Sequence, residues 1–155
     1  MSNSTVGEAT IAVVRRNIEE VQGKGNWRVL EELFADEFVD HTPQPGTTPN
    51  KDGVRVLYER LRAAFPDFRP EIHWQVAAGD LVTTYKTYHG THQGEFLGIP
   101  AKGKTVSFYT VDAMRVLDGR ITEHWGVATL LDLMQQLGVA RLGFEPCAVR
   151  QSART

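Results

Sequence analysis

Apolar residues recur at helical spacing through the first third of the chain, then at every second position through most of the rest. Ile11, Val14, Ile18 and Val21 fall at steps of three and four, which predicts an amphipathic helix from about Val6 to Gln22. Gly23-Lys24-Gly25 stops it, and Asn26 is placed to cap a second, short helix carrying Trp27, Leu30, Leu33 and Phe34. A loop rich in Pro and Thr runs from Thr42 to Pro49. Asn50 then caps a third helix, with Val54, Leu57, Tyr58, Leu61, Ala64 and Phe65 on one face, ended before Pro66. Beyond it the period changes to two. Glu71–Ala77 alternates through Ile72, Trp74 and Val76, Gly79-Asp80 makes a turn, and Leu81–His92 is a second strand rich in Thr and Tyr. A glycine-punctuated loop covers Gln93–Gly103. Thr105–Val116 is a long third strand, joined by a hairpin at Asp118-Gly119 to a fourth, Ile121–Val127, and a last helix spans Thr129–Leu137 before Gly138.

Helices first and hairpin-linked strands afterwards predict an α+β domain. The strands must curl around something, and the N-terminal helices are the available apolar cover. The expected shape is a cone-shaped α+β barrel, a curved antiparallel or mixed sheet packed on those helices around an apolar cavity. Residues 1–155 make one domain, with a core over about 8–138 and a tail from 139 to 155.

Composition narrows the function classes. A content of 41% hydrophobic and 23% charged residues is that of an ordinary folded domain. The net charge of −2 comes from 17 basic and 19 acidic residues spread along the chain, with no basic stripe to hold nucleic acid. No run is long and apolar enough to span a bilayer, and the start, Met1-Ser-Asn-Ser-Thr-Val6, has neither the charged nor the apolar region of a signal peptide. Cys147 stands alone and makes no internal disulfide. The expected location is the cytoplasm.

The third and fourth strands carry the candidate chemistry. A three-residue loop, Leu117-Asp118-Gly119, with Gly119 as a bulge, sets Val116 opposite Arg120 and Asp112 opposite His124. Phe108, Thr110 and Met114 then share a face with Asp112, and Thr122 and Gly126 share one with His124. A two-residue loop instead pairs Asp112 with Trp125 and breaks the contact. An aspartate among Phe108, Met114 and Val116 is costly to bury unpaired; against His124 it becomes an acid–base pair able to take a proton from an acidic C–H or O–H and return it. On the outer face the same two residues would be an ordinary ion pair. Candidate catalytic residues are therefore Asp112 and His124. Candidate ligand contacts are His41, at the mouth of the cone, with Trp27, Phe65, Trp74, Phe108, Met114 and Gly126, a surplus of aromatics suited to a flat aromatic ligand. His89 and His92, three apart on a strand, point to opposite faces and make poor metal ligands. Gly94–Gly103 lacks the strand–turn–helix setting of a dinucleotide loop, so no metal or cofactor is expected. The outer face, with Tyr109, Val111, Ala113, Ile121 and Trp125, is apolar enough for a homodimer packed sheet to sheet.

Three stretches resemble one family. Gly90-Thr-His-Gln-Gly-Glu-Phe-Leu-Gly-Ile-Pro-Ala-Lys-Gly-Lys104, Asp118-Gly-Arg-Ile-Thr-Glu-His-Trp125 and Leu131-Asp-Leu-Met-Gln-Gln-Leu-Gly138 are similar to motifs of SnoaL-like polyketide cyclases, and Asp40-His41 before a Pro-rich loop is similar to the family's first half. The resemblance covers roughly residues 8 to 138. It implies the nuclear-transport-factor-two-like cone and an aromatic, anthracycline-type polyketide as substrate. It also implies chemistry without bound cofactor or metal, either aldol ring closure or ring hydroxylation. In the cyclases a His on the third strand and an Asp after the His-Trp of the fourth do the acid–base work; here Asp112 and Gly126 stand there. Glycine cannot move a proton. A ring hydroxylase drawing electrons from a separate reductase is therefore favoured over an aldol cyclase, with a non-catalytic binding module as the third possibility.

Overall fold

The computed structural model describes residues 3–143; Cys147 and the end of the predicted tail lie outside the described residues. The first helix begins as α1 (Asn3–Arg16) and continues as a π-helical segment, Asn17–Gln22. The wider winding turns Asn17, Ile18, Val21 and Gln22 all to the buried side, where a purely α-helical turn would point Gln22 well away from Asn17. α2 (Trp27–Leu33) starts at Asn26, whose side chain accepts from Val29 N as expected. α3 (Lys51–Ala64) starts at Asn50, whose Oδ1 accepts from Gly53 N at 3.1 Å. Glycine is required at 53, because a Cβ there would lie 1.7 Å from the Thr48 carbonyl oxygen.

Phe34–Asp40 forms a strand, β1, that the pattern of apolar positions does not disclose. Its burial runs in pairs rather than alternating, and its register shifts between Phe34 and Val39. It lies parallel to β5 (Arg120–Ala128), while β2 (Arg69–Ala78), β3 (Leu81–Thr91) and β4 (Thr105–Leu117) are antiparallel neighbours. The order β1-β5-β4-β3-β2 makes a mixed five-stranded sheet, and α4 (Leu130–Gln136) follows it. The Gln136 amide grips the backbone of Ser107 from both sides, pinning α4 to β4.

The β4–β5 register corrects the sequence reading. Leu117 pairs with Arg120 across a two-residue Asp118-Gly119 loop, with φ of 50° and 74°. Such a turn follows the twist of the strands. The extra residue sits further along, at Thr122, between the Val116–Ile121 and Arg115–Glu123 pairs. Asp112 therefore faces Gly126, and His124 faces Met114. The bulge restores the parity a two-residue loop alone would have lost, so Asp112 and His124 still share the inner face. The two-residue turn also sets Ile121, expected outside, opposite Val116 as a fully buried core residue. A second shift, between Ile72 and Trp74, splits those two residues between opposite faces.

The inner face of the sheet carries two apolar clusters. Val82, Met114, Val116 and Ile121 pack against Val14, Ile18, Val21, Leu30 and Leu33. Tyr88, Val106 and Phe108 pack against Leu61, Phe65, Phe96, Leu133 and Leu137. Truncating any of these leucines to Ala costs about 2–5 kcal/mol. Between the clusters the same face turns polar: Thr84 and Lys86 on β3, Thr110 and Asp112 on β4, His124 on β5. Among the described residues no helix is long and apolar enough to cross a membrane.

Candidate active site

A cavity of about 390 Å³ opens beside that polar belt. Leu57, Tyr58 and Leu61 of α3, Phe108 of β4 and Leu130 of α4 form apolar walls, and Thr110, Asp112, His124 and Gly126 form the polar side. Gln44, Pro45, Arg60, Glu95 and Leu97 also border it.

His124 is held by the residue that β1 brings alongside. Asp40 and His124 are register partners, and His124 Nδ1 lies 2.9 Å from Asp40 Oδ1. The same oxygen accepts from Thr42 N at 2.9 Å and from the Thr42 hydroxyl at 3.4 Å. Burial pushes the Asp40 carboxyl up, but the His124 contact and the two Thr42 bonds outweigh it and hold Asp40 below the usual carboxylate range. An ionised carboxylate only accepts, so Nδ1–H donates to Asp40 and Nε2 is the ring nitrogen left on the Asp112 side. Nε2 lies 3.9 Å from Asp112 Oδ2. A histidine lining an apolar cavity, with a carboxylate bonded behind it, has the geometry that a general base requires.

Asp112 has a nearer partner besides His124. Its Oδ2 is in contact with the Lys86 ammonium, and the two side chains are 4% and 0% exposed. Lys86 also lies over the Tyr88 ring, 5.5 Å from its centroid. Asp112 Oδ1 is buried with no hydrogen-bond partner. Tyr88, next to Lys86 on the same sheet face, donates to Gln22 Oε1 at 2.8 Å, so the 3.0 Å contact between the hydroxyls is Tyr58 of α3 donating to Tyr88. Burial pushes both phenols up, and they stay protonated.

Of the sequence-predicted contacts, Phe108 and Gly126 line the cavity beside Asp112 and His124. The rest stand elsewhere. His41 is on the outer face, stacked on Trp125 at 4.6 Å and 5°, with Nε2 3.0 Å from Glu123. Trp74, 47% exposed, packs on Tyr85 outside the sheet, because the shift before it reversed its direction. Trp27 borders both apolar clusters, Phe65 is core against Phe96 and His92, and Met114 is core, its sulfur 3.8 Å from Asn17 Nδ2. Lys86 and Asp40 were missed. Lys86 had a signal, since it falls in the inward register of Val82 and Tyr88, where a lysine needs a buried anion. For Asp40 the only hint was its place before His41.

The model of the SnoaL-like polyketide cyclase family matches residues 12–137. Among solved structures, the candidate polyketide cyclase IdmH of Streptomyces antibioticus is 32% identical, with 84% of this chain and 99% of that one covered at a TM-score of 0.74. TsrD of Streptomyces laurentii is 26% identical over 86% and 97%, at 0.77. The candidate hydroxylase AclR of Streptomyces galilaeus is 25% identical over 86% and 98%, at 0.76. No match was found among curated proteins. A family model that spans nearly the whole folded core, together with relatives sharing this helix-covered mixed sheet, establishes that the chain belongs to the SnoaL-like polyketide cyclase family.

Proposed function

We propose that this chain is a cytoplasmic tailoring enzyme for an aromatic, anthracycline-type polyketide, and that its reaction is ring hydroxylation begun by proton abstraction. The observation that carries the proposal is His124, fixed at Nδ1 by Asp40 and facing an apolar cavity through Nε2. A phenol or activated C–H of a flat ring bound against Phe108 and Leu61 gives its proton to Nε2. The imidazolium is stabilised by Asp40 on one side and by Asp112 on the other. The proton is thereby assigned to His124 rather than to Asp112, whose charge is engaged with Lys86. The electron-rich ring anion adds to dioxygen to give a ring peroxide; a separate reductant supplies two electrons and two protons that cleave the O–O bond and release one oxygen as water, and the His124 imidazolium returns its proton to the oxygen left on the ring, giving the hydroxyl. Two features support hydroxylation: Gly126 supplies no acid next to His124, and the similar structure of AclR is that of a candidate hydroxylase.

Aldol closure is the second reading, favoured by the similarity to the candidate cyclase IdmH and by a base that can return the proton it takes. Incubation with an aromatic polyketide ester in air, with and without reductant, separates the two by mass spectrometry. Gain of one oxygen, lost in His124→Gln, is expected. A new ring at unchanged mass assigns the cyclase, and binding without product means a binding module or a missing partner reductase.

The outer face suits a second copy of the chain. Trp74, Tyr85, Val111 and Val127 lie in one row across four strands, with Trp74, Val111 and Val127 exposed, and a homodimer packed sheet to sheet would bury them.

A further inference from the structure

The turn at the mouth of the cavity contains a residue its backbone does not favour. Phe96 and Ile99 exchange both backbone hydrogen bonds, at 3.0 and 2.8 Å, and close a two-residue loop, Leu97-Gly98. Both loop residues have positive φ, 49° and 78°. Gly, Asn and Asp adopt that conformation readily; a leucine does so under strain. The protein holds an internal comparison, because Asp118-Gly119 has nearly the same pair of angles, 50° and 74°, with the residue types such a turn ordinarily takes. Packing of the turn does not explain the leucine. Phe96 and Ile99 are buried and anchor the loop, whereas Leu97 is 52% exposed and a Cβ on Gly98 would meet nothing within 4 Å. Leu97 nonetheless borders the cavity, as do Gln44 and Pro45.

We infer that Leu97 is a substrate-contacting residue, an apolar lip held over the mouth by a strained turn so that it covers the ring edge a bound ligand leaves there. The inference rests on the proposal that the cavity takes a flat aromatic ligand. It adds a specificity element separate from the acid–base group, since Leu97 has no hydrogen-bonding side chain and belongs to the loop after β3.

The test uses 1,8-dihydroxyanthraquinone, a flat phenolic chromophore whose visible band moves to the red on losing a proton, with Kd read from quenching of the protein's tryptophans. Leu97→Asn suits the turn better than leucine and removes the apolar contact; Leu97→Met keeps the contact. Leu97→Asn is expected to bind about five- to tenfold more weakly, the effect of exposing roughly half a leucine side chain, while melting at or above the wild-type temperature. Leu97→Met is expected within about twofold of wild type, an allowance well below the 1.4 kcal/mol of a tenfold change. Wild-type affinity in Leu97→Asn, or equal losses in both variants, overturns the inference. His124→Gln tests the underlying proposal separately. If wild type binds the dye without a red shift that this variant abolishes, the base assignment fails and Leu97 is still judged on Kd. No binding by wild type overturns both.

Discussion

Replacing Lys86 by Met separates what the Lys86–Asp112 pair does for the fold from what it does for the site. Lys86 is 0% and Asp112 4% exposed, so the variant leaves a carboxylate in the interior without its cation. Breaking a buried pair from one side costs about 3–5 kcal/mol, a large share of the roughly 5–15 kcal/mol that holds a domain together. Asp112→Leu, a near-isostere without charge, strands the ammonium instead and costs about the same. The double variant strands nothing. Met and Leu fill nearly the same volumes, so its loss is expected to be smaller than that of either single change, a coupling of several kcal/mol. Urea unfolding of the four proteins with unchanged m-values measures each term. A loss below about 1 kcal/mol in Lys86→Met, or additive losses in the double variant, would refute the buried-pair argument.

Three further outcomes are expected. Asp40→Asn lets the imidazole choose its tautomer and should lower turnover by on the order of 10²–10⁴, by analogy with catalytic triads; wild-type turnover would remove Asp40 from the site. Because Asp40 is held below its unfolded value, its contribution to stability is present above about pH 4 and disappears as pH falls through the folded value. The stability gap between wild type and Asp40→Asn should thus close in acid, a result that unfolding at pH 7 and pH 3 would show. Gly126→Ala places a Cβ 3.0 Å from His124 Nε2 and 3.1 Å from Asp112 Cβ, displacing the ring. It should cost about 10²-fold in rate with little change in Tm, the strand's gain from losing a glycine offsetting the crowding; unchanged kinetics would show that the ring has room. Val127→Glu, at a position 72% exposed on the outer face, should convert the proposed dimer to monomer in light scattering, and a monomeric wild type would dispose of the dimer.

Helix and strand positions were legible wherever local chemistry decides them. The Asn26 and Asn50 caps, the stop before Pro66, the period-two runs and the Asp118-Gly119 turn depend on neighbours a few residues apart, and the α+β cone followed from their order. That Asp112 and His124 share an inner face was likewise readable from alternation, although the turn type assumed for it was wrong and the Thr122 bulge corrected the parity.

Tertiary structure decided the rest. β1 has no strand pattern of its own; it exists because β5 offers it an edge, and through that parallel pairing Asp40 arrives behind His124 from 84 residues away. Lys86 meets Asp112 only because β3 and β4 pair in the register they do. The π-helical segment exists where Gln22 reaches Tyr88. Alternation along a strand determines which face a charged side chain occupies. Which opposite charge it meets there depends on non-local register, set by packing of the whole sheet against its helices.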